Sequence, residues 1–175
     1  MPDDPERRRR FEALFSAHHA AVSAYVVRRA GGGVGVDDAI ADTFLVAWRR
    51  LDDVPDPALP WLLGVARRVL ADQRRGLRRR RSLSARLALA SRAAPAWEPP
   101  DGISDELADA LRSLTEHERE ALLLVAWDGL TPAQAAAAAG CSTAAFRVRL
   151  HRARRRVATR LGIERPTPNV TEKLT

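Results

Sequence analysis

Towards its C-terminal end the chain carries a pattern typical of two short helices joined by a tight turn. Thr131 can cap a helix whose first position is Pro132, and an alanine-rich run follows as far as Gly140. Gly140 suits the left-handed residue that ends such a helix, and Ser142 or Thr143 can cap the next one. Because alanine side chains are small, the second helix can pack closely across the first. The pattern predicts a helix-turn-helix, whose second helix would enter the major groove of duplex DNA.

The predicted second helix separates into an apolar face and a basic face. Apolar side chains recur at spacings of three and four residues, at Phe146, Leu150, Ala153, Val157 and Leu161. Between residues 141 and 163 the chain carries seven arginines and no acidic residue. Such unopposed charge suits phosphate binding, and arginine can also form a bidentate pair with guanine. An ordinary solvated helix face is the alternative interpretation.

A second basic block lies far from the first in sequence. From residue 67 to residue 86 there are nine arginines and one acid, Asp72. The 175-residue chain has a net charge of +7 and a pI of about 11.1, carried almost wholly by arginine because Lys173 is its single lysine. This balance favours a polyanionic partner. The alternative for the block is a solvated helix end that continues into a linker.

Several kinds of site are excluded by composition. Cys141 is the only cysteine, so a disulfide framework and a cysteine-based zinc site are excluded within the chain, and we interpret it as a small buried apolar residue. His18 and His19 are adjacent and point to different faces of a helix. We therefore expect no metal, no other cofactor and no small-molecule substrate. No stretch approaches the ~20 apolar residues of a membrane span, and no signal-peptide core is found, so we expect a cytoplasmic protein.

Helical periodicity extends over most of the chain, and no strand pattern is present. The predicted helices ahead of the helix-turn-helix run from Phe11 to Arg29, from Asp37 or Asp38 to about Leu51, from Trp61 to about Leu77, from Ile103 to Leu114 and from Glu116 to Trp127. Asp52–Pro60 is predicted to be a loop because it holds three prolines. These elements predict an all-α fold.

The helices group into two small helical domains, residues 1–81 and residues 103–162, each close to the lower size limit for an independent core. A flexible linker is predicted over residues 82–102, around a lone Trp97 that could dock on either domain. The polar tail, residues 163–175, is predicted to be disordered.

The order of these segments resembles the extracytoplasmic-function (ECF) class of bacterial sigma factors, the RNA polymerase subunits that recognise promoters. The acidic stretch Asp37–Trp48 is similar to the family's polymerase-docking helix, and Pro60–Arg75 is similar to its promoter-melting helix. Leu114–Leu124 leads into the helix-turn-helix as it does in the family. The resemblance covers residues 11–161, and the joint order and spacing of the motifs make it specific.

For the first domain, the resemblance implies two functions. Docking on core RNA polymerase is implied for Asp38, Asp42, Phe44 and Trp48. Opening of the minus-ten promoter element, with capture of a flipped base, is implied for Trp61, Arg67, Arg68, Arg74 and Arg75. Ala41 stands where the family usually has glutamine, and Arg68 stands where it usually has asparagine. A core role for Trp61 and a merely solvated acidic helix start remain the alternatives.

For the second domain, the resemblance implies that the C-terminal helix reads the minus-thirty-five element as duplex DNA. Its candidate contacts are Thr143, Arg147, Val148, Arg149, His151, Arg152, Arg154 and Arg155. Base edges are expected for Arg147, His151 and Arg152, and phosphates for Arg149, Arg154 and Arg155. Val148 can meet a thymine methyl group.

The implied partners are core RNA polymerase, promoter DNA and an anti-sigma factor, with the protein monomeric when free. The rival class is a helix-turn-helix regulator that binds DNA as a dimer, at a palindromic site, without acting as a polymerase subunit. That rival explains the C-terminal third equally well, but it explains neither the second arginine block nor the acidic helix. An enzyme is not supported, because the acids are spread over helix starts rather than paired.

Overall fold

The computed structural model describes residues 4–30, 35–85, 97, 99 and 102–163, except for the side chains of residues 78 and 80–85. It has helices α1 (Pro5–Ala30), α2 (Val36–Arg49), α3 (Leu59–Ala85), α4 (Asp105–Arg112), α5 (Glu116–Ala126), α6 (Pro132–Ala139) and α7 (Thr143–Arg160), with a 3₁₀ turn at Leu51–Asp53. These ranges contain no strand, and the all-α prediction is confirmed. The predicted tail beyond residue 163 and most of the predicted linker lie outside the described residues.

The four helices after residue 103 begin at side-chain caps; Thr131 and Ser142 are caps that the sequence predicts, whereas the predicted helix start at Ile103 lies two residues ahead of α4. The caps are Ser104, Thr115, Thr131 and Ser142, and each side-chain oxygen accepts a hydrogen bond from a backbone N–H in the first turn of its helix. Thr115 with Glu118 and Thr131 with Gln134 complete capping boxes, in which the third helical residue bonds back to the cap. Local chemistry alone therefore fixes where α4 to α7 begin.

Gly140 ends α6 with a φ of +66°, the left-handed conformation that the sequence requires of it. Its backbone N–H and that of Cys141 bond back to the last turn of α6, and α7 begins three residues later at Thr143. The predicted helix-turn-helix is therefore present as α6, a tight turn and α7.

Helix α3 begins earlier and ends later than predicted. Leu59 and Pro60 are its first two residues, so the predicted loop Asp52–Pro60 is wrong at its end. Proline is tolerated there because the amides of a first helical turn have no intrahelical acceptor to lose. The helix continues to Ala85, past the predicted end near Leu77, through arginines that favour helix.

Both halves of the chain contribute to one continuous apolar core. We call the described residues up to 85 the N-terminal half and those from 97 onward the C-terminal half. Tyr25 from the first half and Leu124 and Phe146 from the second are fully buried in this core. Helix α3 lies centrally, against α1, α2 and α6. Small residues allow the contact with α6, because a Cβ at Gly64 would lie 3.4 Å from the carbonyl oxygen of Ala138.

Trp97 docks on the C-terminal half, which answers the question that the sequence left open. It packs against a smaller apolar cluster built around Leu111, Leu114 and Ala153. The guanidinium carbon of Arg119 lies 4.5 Å from the centroid of its ring, a cation–π distance. The linker tryptophan therefore anchors the incoming chain beside α4 and α7.

Candidate nucleic-acid interface

Helix α7 presents a basic face to solvent because its apolar stripe is buried. Phe146, Leu150 and Ala153 lie in the core, between 0% and 4% exposed. The predicted DNA-contacting residues Arg147, Val148, His151, Arg152, Arg154 and Arg155 are exposed, and Thr143 and Arg149 are half-buried. The structure therefore brings these eight residues onto the outward part of one helix.

Val148 is the unusual member of this face. Its side chain is 49% exposed although it is apolar, and it lies between arginines in the sequence. An isolated exposed valine is common on protein surfaces. On a basic helix face, however, its methyl groups offer the apolar contact that a thymine methyl group can accept.

An arginine-lined groove continues the basic face at the C-terminal end of α7. The groove has a volume of about 600 Å³ and is lined by Ser113, Arg152, Arg155, Arg156, Thr159 and Arg160. Sequence reasoning missed four of these residues as candidates, namely Ser113, Thr159, Arg156 and Arg160, although the two arginines belong to the run that it counted. The positive charge of the arginines and the hydroxyl groups of Ser113 and Thr159 suit the phosphate backbone of a nucleic acid.

One ion pair fixes α7 against α5. Arg156 Nη1 donates to Oε2 of Glu118 at 2.7 Å, and the Glu118 side chain is 7% exposed. Burial alone would raise the pKa of the Glu118 carboxyl, but hydrogen bonds from Thr115 and the charge of Arg156 hold that pKa below its ordinary value. Glu118 is therefore an anion that both caps α5 and orients the basic helix.

On α3, the five predicted DNA residues do not share one open face. Arg68 is exposed, whereas Trp61 and Arg67 are half-buried. A Cβ at Gly140 would lie 3.8 Å from Nη1 of Arg67, so this arginine reaches the turn between α6 and α7. The guanidinium of Arg50 lies 6.0 Å from the Trp61 ring centroid.

The other two predicted DNA-binding arginines of α3, Arg74 and Arg75, are bonded to groups of this chain itself. Arg74 Nη2 donates to the carbonyl oxygen of Arg29 at 2.6 Å, and its Nη1 donates to Glu116 at 3.2 Å. The second bond joins α3 to the start of α5. Arg75 is paired with Asp72, one turn earlier on α3. Arg74 therefore links the two halves of the chain, while Arg75 is held along its own helix.

The predicted polymerase-docking residues fall into two groups on α2. Asp38 and Asp42 are exposed, whereas Phe44 is 4% exposed and Trp48 is half-buried. Phe44 lies 4.7 Å, centroid to centroid, from Phe15 on α1. The aromatic side chains thus fix α2 to α1, and the carboxylates face outward.

A second groove lies between α2 and α3, beside those carboxylates. Its volume is about 250 Å³, and it is lined by Asp42, Leu45, Val46, Arg49, Val69, Asp72 and Gln73. Leu45 is 44% exposed at its edge. A groove that combines apolar side chains with exposed carboxylates suits a basic protein surface better than it suits DNA.

Contacts that sequence reasoning missed join α1 to the C-terminal half. Arg29 Nε donates to Oε2 of Glu120 at 2.7 Å, and its Nη2 donates to Oδ2 of Asp128 at 3.3 Å. Arg28 is also paired with Asp128, and the Tyr25 hydroxyl donates to Oε1 of Glu120 at 2.9 Å. The side chains of Arg28, Arg29, Glu120 and Asp128 are between 4% and 17% exposed.

Burial dominates the electrostatics of this cluster. It raises the pKa of the Asp128 carboxyl above its ordinary value, although Arg29 and Arg28 act in the opposite direction. The Tyr25 hydroxyl has its pKa raised well above normal by burial and by the adjacent Glu120 carboxylate. The Arg29 guanidinium lies 3.6 Å from the centroid of the Tyr25 ring, so the cation also stacks on the aromatic face.

Within the part of the chain that the structure describes, no group of three or more His, Cys, Asp or Glu side chains could hold a metal ion. None of the described helices is long and apolar enough to cross a membrane.

Comparisons with known proteins match both halves of the chain to the same protein family. The family model for sigma-70 region 2 matches residues 14–80, and the model for sigma-70 region 4 matches residues 104–157. The chain is 30% identical over 164 residues to the ECF RNA polymerase sigma factor SigL of Mycobacterium tuberculosis, across 87% of this chain and 91% of SigL.

Two solved structures are similar in fold. One is the sigma factor RpoE in complex with the anti-sigma factor NepR from Bartonella quintana, at 23% identity and a TM-score of 0.64 over 89% of this chain and 98% of that one. The other is CnrH in complex with the cytosolic domain of CnrY, at 28% identity and a TM-score of 0.58 over 90% and 91%.

Proposed function

This chain belongs to the extracytoplasmic-function class of sigma-70 family RNA polymerase sigma factors, and we propose that its two halves divide promoter recognition between them. A sigma factor of this class binds core RNA polymerase and directs promoter-specific initiation of transcription. Residues 1–81 dock on the polymerase and open the minus-ten element, and residues 103–162 read the minus-thirty-five element. The observation that carries the proposal is the exposed basic face of α7 behind its buried apolar stripe.

Helix α7 reads the minus-thirty-five element through three kinds of contact. Arg147, His151 and Arg152 meet base edges, and Val148 meets a thymine methyl group. The phosphates on either side are held by Arg149, Arg154 and Arg155, with Thr143 at the start of the helix. The groove at Arg156 and Arg160 extends this phosphate track past the end of the base-reading surface.

The N-terminal half opens the minus-ten element with α3. Trp61, half-buried at the start of that helix, borders the place where a flipped base is stacked. The separated strand follows Arg67, Arg68, Arg74 and Arg75, whose charges hold its backbone. Arg74 bonds to Arg29 and Glu116 through two of its five N–H groups, so the other three remain for phosphate.

Docking on core RNA polymerase uses the outward side of α2. Asp38 and Asp42 supply charge for a basic polymerase surface, and exposed Leu45 adds apolar contact at the edge of the groove. Phe44 and Trp48 act from inside the protein, since they hold α2 against α1 rather than face a partner. The acidic start of α2 is thereby presented at a fixed angle.

The protein acts in the cytoplasm, where its polymerase and DNA partners are found, and it is monomeric when free. An anti-sigma factor is a third proposed partner. The similarity of fold to the RpoE–NepR and CnrH–CnrY complexes supports this assignment. Such a partner would withhold the sigma factor from the polymerase until a signal releases it.

The proposal is tested by multi-round transcription with purified core RNA polymerase, with and without the protein, on a genomic fragment library. The expected result is new initiation at a discrete set of promoters that share a two-part, asymmetric motif. As a control, Arg112→Ala removes an exposed arginine from α4 and leaves α7 intact, so this variant should initiate at the same promoters as the wild type. No initiation, together with protection of palindromic duplex sites by a dimer, would establish the regulator class instead.

A further inference from the structure

The loop that leads into Trp61 is fixed at its start by arginines of α1. Residues 54–58 connect the 3₁₀ turn Leu51–Asp53 to Leu59, the first residue of α3, and Trp61 follows two positions later. In the proposed opening of the minus-ten element, a flipped base is stacked beside Trp61. The loop borders the same place, so the groups that fix the loop also shape the space that the base enters.

Arg7 bonds to two groups at once, one at the end of α2 and one in the turn that follows it. Its Nη2 donates to the backbone carbonyl oxygen of Trp48 at 2.7 Å, and its Nη1 donates to Oδ2 of Asp52, also at 2.7 Å. Trp48 lies in the last turn of α2, where carbonyl oxygens run out of intrahelical donors. The planar fork of a guanidinium suits two such acceptors. One side chain therefore satisfies the end of α2 and holds the turn beside it.

Asp52 is shared by two arginines of α1. Arg10 Nη1 donates to the second carboxylate oxygen, Oδ1, at 3.1 Å. The hydrogen bond from Arg7, with a smaller contribution from that of Arg10, holds the pKa of the Asp52 carboxyl below its ordinary value. Residues three positions apart lie on one face of a helix, so both cations approach from the same side of α1. Asp52 is therefore an anion at neutral pH, with each of its oxygens bonded to α1.

Arg7 is the most enclosed member of this group. Its side chain is 29% exposed, against 52% for Arg10 and 68% for Asp52. Its guanidinium carbon lies 5.3 Å from the centroid of the Trp48 ring, which packs at 5.2 Å against the ring of Phe11. Surface ion pairs contribute little when both side chains must be ordered to form them. The contact with Trp48 already orders Arg7, which gives its pair with Asp52 a defined geometry.

The same turn is connected to Trp61 through Arg50. Arg50 Nε donates to Oδ2 of Asp53 at 3.1 Å, and its guanidinium carbon lies 6.0 Å from the centroid of the Trp61 ring. Within the turn, the Leu51 side chain is 4% exposed, and the backbone N–H of Asp53 bonds to the carbonyl oxygen of Arg50 at 2.9 Å. A displacement of the turn would therefore also displace the cation beside the indole ring.

Direct binding of DNA does not explain why carboxylates lie here. The turn and the loop carry three of them, at Asp52, Asp53 and Asp56. Carboxylates repel phosphates, and the separated strand is proposed to pass close by along α3. The arginines bonded to Asp52 and Asp53 offset this charge. Charge alone does not require the bond from Arg7 to the carbonyl oxygen of Trp48, which instead fixes a position.

Arg7 and Arg10 also lie outside the segment that the sigma family pattern covers. The match to the sigma-70 region 2 model begins at residue 14, and the first two turns of α1 precede it. The bond from Arg7 to Asp52 joins positions 45 apart in the sequence. The match therefore assigns no role to these arginines, and their role follows from their contacts.

From these contacts we propose that Arg7 is a positioning residue for minus-ten recognition. Through Asp52 it fixes the turn and the loop, so that the space beside Trp61 accepts one base better than the other three. Arg10 supports the same carboxylate, and neither arginine touches DNA in this role. The proposal rests on the proposed function of α3 in opening the minus-ten element.

Binding of single-stranded DNA by the holoenzyme tests the selection of a base. The probes are a non-template-strand oligonucleotide with the minus-ten element of a promoter at which the wild type initiates, and a set in which each base is replaced in turn. The test variants are Arg7→Gln, Asp52→Asn and the two combined. The matched control is Arg9→Gln, which removes an equal charge from the same turn of α1, where Arg9 is paired with Glu6.

The expected result is a loss of discrimination. Wild type and control should prefer the cognate oligonucleotide to those substituted at the captured base, and that preference should fall about threefold in both single variants, within the range of a lost surface ion pair. The double variant should lose no more than Arg7→Gln alone, because both substitutions break the same contact. An unchanged preference in the single variants, or additive losses in the double variant, would overturn the proposal. So would an equal loss on every oligonucleotide, since that indicates a phosphate contact.

Two further binding measurements separate positioning from a general loss of structure. Affinity for core RNA polymerase should be unchanged in the variants, because the exposed carboxylates Asp38 and Asp42 lie in the first half of α2, away from Trp48. Binding of the holoenzyme to a duplex that carries only the minus-thirty-five element should be unchanged as well. If both affinities fall together with the base preference, Arg7 merely stabilises the N-terminal half, and the proposal is overturned.

Amide hydrogen exchange of the free chain tests the fixed loop without DNA or polymerase. The amide of Asp53 should exchange several-fold faster in Arg7→Gln and in Asp52→Asn than in wild type, and Arg9→Gln should match the wild type. Equal exchange in all these proteins would overturn the proposal and leave the proposed function standing. A wild-type holoenzyme that initiates at no promoter would overturn the proposed function, and the role of Arg7 in base selection with it, whatever the exchange rates are.

Discussion

The guanidinium of Arg156 on α7 is bonded at 2.7 Å to the same carboxylate oxygen of Glu118 that completes the capping box of Thr115. One buried anion therefore serves the start of α5 and the orientation of the basic helix together. A change at Glu118 should be felt both in the stability of the protein and in how α7 is presented.

We predict that Glu118→Gln lowers the free energy of unfolding by about 1 kcal/mol at pH 7, because glutamine can keep the capping box, as Gln134 does, but loses the charge that pairs with Arg156. The pKa of Glu118 is lowered below its ordinary value of 4.5, so its contribution to stability is complete above that pH and is lost as the pH falls through the lowered pKa. Urea unfolding at pH 7 and at several acidic pH values checks this. A gap between wild type and variant that stays constant down to the most acidic pH would contradict it.

Replacement of Arg147 and of Arg154 should have different signatures. Arg147→Ala should cost about 1–3 kcal/mol at the cognate promoter and relax the preference for one base pair. Arg154→Ala should weaken all sequences alike and reduce the slope of log K against log salt by about 0.9. Fluorescence anisotropy of holoenzyme on promoter and shuffled duplexes, over a range of salt concentrations, distinguishes the two. Identical behaviour of both variants would argue against separate base and phosphate contacts.

Val148→Ala should weaken promoter binding by about 1 kcal/mol, the scale of a lost methyl contact with thymine. Replacing thymines by uracil in the minus-thirty-five element removes the partner methyl groups without changing any hydrogen bond. Uracil DNA should therefore weaken binding by the wild type and leave binding by Val148→Ala unchanged. An equal uracil effect on both proteins would mean that the exposed valine does not meet thymine.

Asp38→Asn with Asp42→Asn should lower the affinity for core RNA polymerase several-fold, because two exposed charges are lost from a surface proposed to meet a basic partner. The loss should shrink at high salt, where exposed charges are screened. Thermal unfolding should be nearly unchanged, since both side chains are exposed. Asp109→Asn, on the other half of the chain, is the control in the same binding assay, and a loss of similar size there would contradict a docking role for α2.

Much of the C-terminal half could be predicted because its instructions are local. Caps at Thr115, Thr131 and Ser142 act within four residues, and Gly140 acts on its own backbone angle. The spacing of Phe146, Leu150 and Ala153 likewise decides which side of α7 is buried. Such signals are visible in the sequence because cause and effect lie within one or two helical turns.

The contacts between the halves could not be predicted on that basis. Arg29 and Glu120 are 91 positions apart, and nothing in the periodicity of either helix pairs them. Arg74 counted as one more cation in a basic block, although it bonds to Glu116 in the other half. Phe44 looked like a docking residue because of the family pattern, but its burial depends on aromatic partners on α1. Whether such side chains are exposed depends on tertiary packing, which no local pattern encodes.

The anchoring of Trp97 on the C-terminal half also determines the effective concentration of one half of the chain around the other. With that anchor in place, eleven residues of sequence connect the halves, and a connection of that length keeps each at an effective concentration on the order of millimolar around the other. Re-association is then unimolecular and independent of how much protein the cell contains. Dilution cannot separate the halves, and a competing surface must match that millimolar term before it can take one half from the other.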